Sequence, residues 1–350
     1  MKIAMVSTRE LPAWEHEHVA GLSAALTALR HDVTVHVLDA TDAESGTESP
    51  ALGEFVESLR EEWSWAQPDV VHAHSWRAGL ASVLAAQRLA LPVVQTFHGV
   101  SPDSGQATVE RLIGKEAALV VASCEQELLD LAAAGIPRPR IVVAPRGVDT
   151  GVFRPDGEIT PGTLAHRVVA IADPPPHRGV ADLVAALPLL EDVELVVADV
   201  PDPRAANELK AWARRFGVHN RTRVLRPDAG RHLPALLRSA DVAAFAPRQT
   251  WWDDAPLKAM ACGAPVVATE VGGLSDAVVD GVTGVLVASD DLKQLVKTLR
   301  KVLKDEVFLE SCAIAAVDRI AARHSWGVVG RCFERLYSGL AQRPADASAG

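Results

Sequence analysis

Short apolar runs alternate with longer amphipathic segments through the first part of the chain. The runs have the length and composition of buried strands, and the segments between them repeat their apolar positions with helical spacing. Strands that alternate with helices form βαβ units, so the pattern predicts a parallel sheet with helices on both faces. The predicted strands are 3–6, 33–38, 70–72, 93–96, 119–122 and 141–144, and the predicted helices are 19–29, 55–63, 80–89 and 125–134.

The alternation pauses between Gly147 and Pro161, where Gly, Pro, Asp and Thr are frequent. Such a change of composition is typical of a linker between domains. A second alternating series follows, and a single open sheet would then need about a dozen strands, so two successive doubly wound domains fit better. This series has strands at 168–171, 194–197, 223–225, 242–245, 265–269 and 284–286, helices at 180–187, 205–216, 233–238, 255–261 and 274–280, and a long helical C-terminal part from 292 onward.

Composition and charge limit the classes of partner that the protein is expected to bind. The chain has 350 residues with 48% hydrophobic content and a formal net charge of -10, which argues against a surface for nucleic acid or anionic membranes. Four widely spaced cysteines form no CxxC pair and are expected to be reduced thiols. No apolar stretch reaches the roughly 18 residues of a membrane span, and the N-terminus lacks a signal-peptide core. We therefore predict a cytoplasmic protein without a membrane span or a nucleic-acid partner.

Several longer strings occur in the order in which a known family has them. They are HVAGLSAALTALRHDVTV, PDVVHAHSW, VVQTFHG, GVDTGVFRP and MACGAPVVATEVGGLSDAVVDGVTGVLV, followed by HSWGVV and LY. On these strings the chain resembles glycosyltransferase family 4, whose members have the α/β GT-B fold of two Rossmann-like, doubly wound domains facing a central cleft.

The resemblance also implies how the domains divide the chain. It indicates an acceptor-side domain at 1–150, a nucleotide-sugar-side domain at 151–325, and a terminal helix at 326–342 that packs back on the N-terminal domain. The last residues, 343–350, with the sequence RPADASAG, are predicted to be disordered.

The resemblance implies retaining transfer of a sugar from a nucleotide-sugar donor to an acceptor, with no cofactor and no metal required. Such a reaction needs groups that neutralise the leaving diphosphate, a carboxylate that holds the ribose, and a cleft that excludes water. In the family, a Gly-Arg pair and a later Lys neutralise the leaving diphosphate. These residues align here with Ala172, Asp173 and Arg178. Arg178 keeps a positive charge for the diphosphate, whereas Asp173 either repels the diphosphate or pairs with Arg178 and leaves no donor site.

The family's paired glutamates, eight positions apart, align with Thr250 and Lys258. A lysine only donates hydrogen bonds, so Lys258 cannot accept one from a ribose hydroxyl. Asp253 and Asp254 lie in the same loop and are candidates for a displaced carboxylate; the alternative is an ordinary surface loop. The family's Gly-Gly turn is kept as Gly272 and Gly273, which is either a donor-binding turn or a plain connection from strand to helix.

On the N-terminal side, the family's Gly-rich turn aligns with Ala13 and Trp14, and the Trp14 ring would fill the space that glycine leaves for a ligand. His98, in TFHG, matches an acceptor-side, sugar-contacting position and is the candidate catalytic residue; the alternative is a structural histidine. His72 and His74 share one strand, and we predict that they face opposite sides of it, so that at least one only packs. With no third ligand nearby, we expect no metal.

Two functional hypotheses follow from these alignments. The first is an active transferase whose shifted donor site is built from Arg178, Asp253, Asp254 and the turn at Gly272 and Gly273, with Lys258 beside it. The second is a catalytically impaired pseudo-glycosyltransferase that acts as a binding protein or pairs with an active glycosyltransferase. The acceptor is left unassigned under both.

Overall fold

The computed structural model of the protein describes residues 1–39, 50–99, 101, 104–172, 178–200, 203–227, 232–248 and 254–341. The chain divides into two compact units, which are described separately. Unit 1 comprises Met1–Gly147 and Trp326–Gly350, and unit 2 comprises Val148–Ser325. Each unit contains one six-stranded sheet, and all the strand pairings in both sheets are parallel.

Unit 1 begins with six strands and five α-helices in regular alternation. The strands are β1 (Lys2–Thr8), β2 (Asp32–Leu38), β3 (Val70–His74), β4 (Val93–Thr96), β5 (Leu119–Ala122) and β6 (Ile141–Val143). The helices are α1 (Ala13–Ala28), α2 (Pro50–Trp65), α3 (Trp76–Ala86), α4 (Ser104–Glu116) and α5 (Glu125–Ala133). The sheet order is β2-β1-β3-β4-β5-β6, so the chain starts inside the sheet and is wound outward in both directions.

Strand β1 shows how the two faces of this sheet are covered. Ala4 and Val6 belong to a core shared with α2 and α3, whereas Ile3 and Met5 belong to a core on the other face shared with α1. Successive side chains of a strand point to opposite faces, so a strand that is buried on both sides is apolar at every position. This is why the strand segments read as continuous apolar runs.

Unit 2 repeats this architecture. Its strands are β7 (His166–Ile171), β8 (Val193–Ala198), β9 (Thr222–Val224), β10 (Val242–Phe245), β11 (Val266–Thr269) and β12 (Gly284–Val287), in the order β12-β11-β10-β7-β8-β9. Its helices are α6 (Arg178–Ala186), α7 (Pro203–Arg215), α8 (Leu233–Arg238), α9 (Ala255–Ala261), α10 (Gly272–Ala277), α11 (Leu292–Val302) and α12 (Glu306–Arg319).

The C-terminal helix α13 (Trp326–Ala341) belongs to unit 1 and packs on α1. The Trp326 ring lies directly against Gly21 of α1 and against Gly147, and a Cβ atom at either glycine would come within 2.2–2.3 Å of that ring. Real Cβ atoms do not approach so closely, so the position of the Trp326 ring requires glycine at both sites.

The structure confirms the prediction of two doubly wound parallel sheets, with two differences in the helices. The sequence pattern did not predict α4, whose first turn contains Ser104 and Gly105, both weak helix formers. The predicted long C-terminal helical part is divided into α11, α12 and α13, and a π-helical turn at Ile320–His324 precedes α13. The segment 343–350, predicted to be disordered, lies outside the described residues. Within the described ranges, no helix has the length and apolarity to cross a membrane.

Candidate functional site

The candidate site of unit 1 lies at the carboxyl edge of its sheet. His74 ends β3, and His98, Ser123 and Arg146 follow β4, β5 and β6, which are neighbours in the sheet. The first turns of α1, which carry Trp14, Glu15 and His18, lie against the same edge, as contacts described below show. In doubly wound sheets this edge is where ligands bind.

Four histidines are packed together at this edge. The rings of His18, His74 and His98 form a triangle with centroid separations of 5.7, 5.7 and 5.8 Å, and His72 lies 4.1 Å from His74. The prediction that His72 and His74 face opposite sides of β3 is wrong. Residues two apart in a strand share a face, and both rings lie on the face covered by α13, where His72 stacks on Phe333.

Hydrogen bonds fix the position of the His72 ring. Its Nδ1 lies 2.7 Å from the Tyr337 hydroxyl of α13, and its Nε2 lies 2.9 Å from the Thr96 hydroxyl at the end of β4. Both hydroxyls can donate or accept, so His72 is satisfied in either neutral tautomer. His72 therefore joins the sheet to α13 and is a structural residue of the cluster.

His98 lies in a left-handed backbone conformation, with φ of +61°, and Gly99 follows with φ of +117°. Its Nδ1 is 3.2 Å from Nη1 of Arg146, and its Nε2 is 3.5 Å from Nδ1 of His74 and 3.8 Å from Oε2 of Glu15. Only 1% of the His98 side chain is exposed. The imidazole that the sequence assigns to the acceptor side is thus held inside the cluster.

Glu127 fixes the backbone next to His98. Its buried carboxylate accepts a 2.9 Å hydrogen bond from the Gly99 N–H and a 2.7 Å hydrogen bond from the Ser123 N–H, and it also accepts from the Ser123 hydroxyl. These contacts tie the loop after β4 to the loop after β5. Its place in the first turn of α5 also favours a negative charge.

Trp14 and Arg146 form a pair over His98. The Arg146 guanidinium carbon lies 4.5 Å from the centre of the Trp14 ring, a cation–π contact, and Nη2 lies 3.4 Å from the Trp14 carbonyl oxygen. The edge of the Trp14 ring meets His98 at a centroid distance of 5.6 Å. The indole thus occupies space beside His98.

Burial sets the protonation of the cluster. It lowers the pKa of His74 to about 3, with a smaller contribution from the Arg146 charge, and lowers the pKa values of His18, His72 and His98 well below the ordinary value. These imidazoles are therefore neutral at neutral pH. Burial also raises the pKa of Glu15 to about 7, although the Arg146 charge opposes this shift.

Two ring nitrogens of the cluster, Nδ1 of His18 and Nε2 of His74, are buried and have no hydrogen-bond partner in the described part of the chain. A small pocket lined by His18, His98, Ser123 and Arg146, with Thr96 and Phe333, has room for about one water molecule. No group of three His, Cys, Asp or Glu residues among those described has the arrangement of a metal site.

The candidate donor residues of unit 2 gather at the carboxyl edge of the second sheet. Strands β7, β10 and β11 are neighbours, and they are followed by the beginnings of α6 at Arg178, of α9 just after Asp254, and of α10 at Gly272. Gly179 lets α6 approach closely, because a Cβ atom there would lie 2.6 Å from the Ala246 carbonyl carbon. Three helix beginnings therefore converge on one edge of the sheet.

Lys258 and Asp254 are paired with each other. Lys258 Nζ lies 3.1 Å from Oδ2 of Asp254, one helical turn apart, and both side chains are largely buried, with 14% and 12% exposure. Lys258 also lies 5.6 Å from the centre of the Phe153 ring. The lysine that the sequence aligns with one of the family's paired glutamates therefore binds the neighbouring carboxylate.

The remaining donor-side candidates fall partly outside the described residues. Asp173, Thr250 and Asp253 lie there, and so does the side chain of Arg178, whose backbone begins α6. Gly272 and Gly273 form the start of α10, and Gly272 has a positive φ of 49°, which a non-glycine residue rarely adopts. Their assigned roles stay predictions.

Sequence reasoning did not name Glu15, His18, Glu127 or Arg146. Glu15 and His18 are three residues apart and so share one face of α1, a spacing that was readable in LPAWEHEH. Arg146 directly precedes the string GVDTGVFRP and follows a predicted strand, where ligand-facing side chains are expected. Only its contacts with Trp14 and His98 distinguish it from an ordinary surface arginine.

Comparison with solved structures identifies the fold class. Sucrose-phosphate synthase from Thermosynechococcus elongatus matches with a TM-score of 0.83 at 20% identity, over 97% of this chain and 99% of that chain. Anabaena HepE in complex with UDP and glucose matches with a TM-score of 0.81 at 18% identity, over 97% of this chain and 100% of that chain. The protein has the GT-B fold of glycosyltransferases.

Sequence comparison then identifies the family. The model described as Glycosyltransferase Family 4 matches residues 16–152, and the model described as Glycosyl transferases group 1 matches residues 165–305. D-inositol 3-phosphate glycosyltransferase from Xylanimonas cellulosilytica is 34% identical, over 79% of this chain and 73% of that protein. The enzyme of the same name from Mycolicibacterium gilvum is 32% identical, over 79% and 67%. The chain belongs to the family 4 glycosyltransferases.

Proposed function

We propose that this glycosyltransferase transfers a sugar, with retention of its anomeric configuration, from a nucleotide-sugar donor held by unit 2 to an acceptor hydroxyl held by unit 1. The observation that supports the proposal most directly is the gathering of three helix beginnings at one edge of the unit 2 sheet. The beginning of a helix carries a positive partial charge, which suits a diphosphate.

Within this proposal each donor-side residue has a chemical role. The Arg178 guanidinium pairs with the diphosphate oxygens, and the N–H groups of Gly272 and Gly273 donate to the distal phosphate or to the sugar. Asp254 accepts from a ribose hydroxyl once Lys258 releases it, and Asp253 is the second candidate acceptor. These groups neutralise the leaving diphosphate without a metal ion or other cofactor.

Binding of a nucleoside diphosphate to an Arg178→Ala variant tests the donor site. A charge-assisted pair contributes about 1.5–3 kcal/mol, so its loss should weaken binding of the nucleotide by roughly 10- to 100-fold. The matched control is Arg204→Ala, which removes an exposed arginine of α7 that pairs with its helical neighbour Glu208. Equal affinity of the Arg178→Ala variant and the wild type would overturn the proposed donor site.

The stereochemistry and the acceptor need a separate test. The relatives at 34% and 32% identity are named for D-inositol 3-phosphate, so this compound is the first acceptor to supply. NMR analysis of the anomeric configuration in the product should show the configuration of the donor sugar. An inverted product would contradict retention while leaving donor binding intact.

The ion pair between Lys258 and Asp254 favours a second candidate function, a pseudo-glycosyltransferase that serves as a binding protein or as the partner of an active glycosyltransferase. In this pair the carboxylate is already bound, and the lysine cannot accept from ribose. Under this alternative the wild type binds no nucleoside diphosphate and co-purifies with a partner, and Lys258→Glu combined with Thr250→Glu gains measurable affinity. A monomeric wild type that turns over a nucleotide sugar would exclude it.

A further inference from the structure

Arg146 is the buried charge nearest to His98. It follows β6 and is 2% exposed. Nη1 lies 3.2 Å from Nδ1 of His98, Nη2 lies 3.4 Å from the Trp14 carbonyl oxygen, and the guanidinium plane lies over the Trp14 ring. The ring and the carbonyl of one residue thus hold the guanidinium while one of its N–H groups reaches the imidazole.

The chemistry of a guanidinium decides the tautomer of His98. Arginine is always protonated and carries only donors, so Nδ1 of His98 must accept the hydrogen bond. A neutral imidazole that accepts at Nδ1 carries its proton on Nε2. That N–H faces the two acceptors on the other side of the ring, Nδ1 of His74 at 3.5 Å and Oε2 of Glu15 at 3.8 Å.

We propose that Arg146 is a positioning residue for His98: its guanidinium, held by Trp14, fixes the imidazole in the Nε2–H tautomer, with Nδ1 covered and Nε2–H facing Glu15. The functional meaning of this assignment rests on the proposed acceptor role of unit 1. In this form His98 offers a single N–H donor and no acceptor nitrogen. A ligand group that takes the place of Glu15 or His74 at this N–H must therefore accept a hydrogen bond, as the oxygen of a sugar hydroxyl can.

The backbone around His98 fixes where the side chain starts but does not fix the orientation of the imidazole ring, which Arg146 determines. Glu127 fixes the Gly99 N–H and thereby the left-handed turn at His98 and Gly99, which determines where the side chain starts. No contact of Glu127 with the imidazole is involved, since its carboxylate bonds to Gly99 and Ser123. Among the residues that the structure describes, Arg146 is the permanently charged donor at the ring, and it sets the tautomer.

The test is the tautomer of His98 in the ligand-free full-length chain, read from two-bond ¹H–¹⁵N correlations of imidazole nitrogens at neutral pH. His98→Gln assigns the signal. The wild type should show Nε2–H, Arg146→Met should shift His98 to Nδ1–H or to a mixture of both forms, and Arg146→Lys, which keeps a donor, should restore part of the Nε2–H population. Arg140→Met, which removes a unit 1 arginine bonded to the Ala117 carbonyl, should leave the signal unchanged.

Two results would overturn the proposal: an Nδ1–H tautomer in the wild type, or an unchanged His98 signal in a folded Arg146→Met variant. If that variant does not fold, Trp14→Leu decides, because it removes the ring that holds the guanidinium and should also lower the Nε2–H population. A purely structural role for Arg146 would change the melting temperature but not the tautomer. The NMR samples contain no nucleotide, so the tautomer result does not depend on whether unit 2 binds a donor.

Discussion

Glu15 shows how burial decides charge in the unit 1 cluster. Its carboxyl group is close to His98, to the positive charge of Arg146 and to the buried carboxylate of Glu127. Burial outweighs the attraction of Arg146 and raises the pKa of Glu15 to about 7. With its neighbouring imidazoles neutral, Glu15 is the carboxyl group of the cluster that changes charge around neutral pH.

Replacing Glu15 with glutamine should therefore change the pH dependence of stability. The folded state keeps the Glu15 proton up to a pH of about 7, whereas the unfolded chain loses it near the ordinary glutamate pKa of 4.5. Stability of the wild type relative to Glu15→Gln should fall as pH rises from 4.5 to 7, by up to about 3 kcal/mol. Urea denaturation of both proteins at a series of pH values measures the difference.

A stability difference between the two proteins that stays constant from pH 4.5 to 8 would contradict the raised pKa of Glu15. A difference that grows with rising pH in favour of the wild type would indicate that Glu15 is instead stabilised as a carboxylate, with Arg146 outweighing burial.

Sequence patterns predicted single residues less well than elements. The position of His98 at the end of β4 follows from TFHG, but its contacts with His18, Glu15 and Arg146 join segments far apart in sequence. His72 and His74 were predicted on opposite faces of β3, although the two-residue period of a strand places them on the same face. The pairing of Lys258 with Asp254 was readable from their spacing of four residues in a helix.

At the scale of elements, the packing of α13 on α1 depends on glycine. Trp326 begins α13, and its ring fills the space that Gly21 and Gly147 leave free. Gly21 lies inside a helix, where glycine is otherwise unfavourable by about 1 kcal/mol relative to alanine. Its presence there is explained by the close approach of the indole ring.

Gly21→Ala and Gly53→Ala form a matched pair of helix substitutions. A Cβ at Gly21 would overlap the Trp326 ring, so the variant should be destabilised by roughly 1–3 kcal/mol. Gly53, in α2, has nothing within 4 Å of an added Cβ, so the second variant should gain about 0.5–1 kcal/mol. Urea denaturation followed by tryptophan fluorescence compares them, and a stabilised Gly21→Ala variant would contradict the packing of Trp326 on α1.

The elements themselves were largely predictable. Strands β4, β5 and β10 and helices α8 and α9 have the predicted bounds, because buried parallel strands and short flanking helices have distinct apolar patterns. Helix α4 was missed since its first turn is polar and contains glycine. Its existence is fixed by the need to connect two parallel strands, β4 and β5, rather than by its own propensity.

At the scale of the whole molecule, the chain has the family's fold, and its sequence predicts a different donor-side chemistry. The sequence motifs that form the strands and their connections occur in the family's order, and they made the GT-B fold predictable. The sequence aligns Thr250 and Lys258 with the family's paired glutamates, and Lys258 binds Asp254. Whether a sheet edge binds a nucleotide depends on side chains rather than on fold, so the fold alone does not determine activity.

The central claim is that unit 2 still binds a nucleotide-sugar donor, and calorimetric titration of the purified full-length chain with UDP, GDP and ADP tests it most directly. A transferase must bind the diphosphate that it releases, so we expect micromolar affinity for one of the three, with or without magnesium. Absence of binding to all three would contradict the transferase and leave the pseudo-glycosyltransferase as the function of this chain.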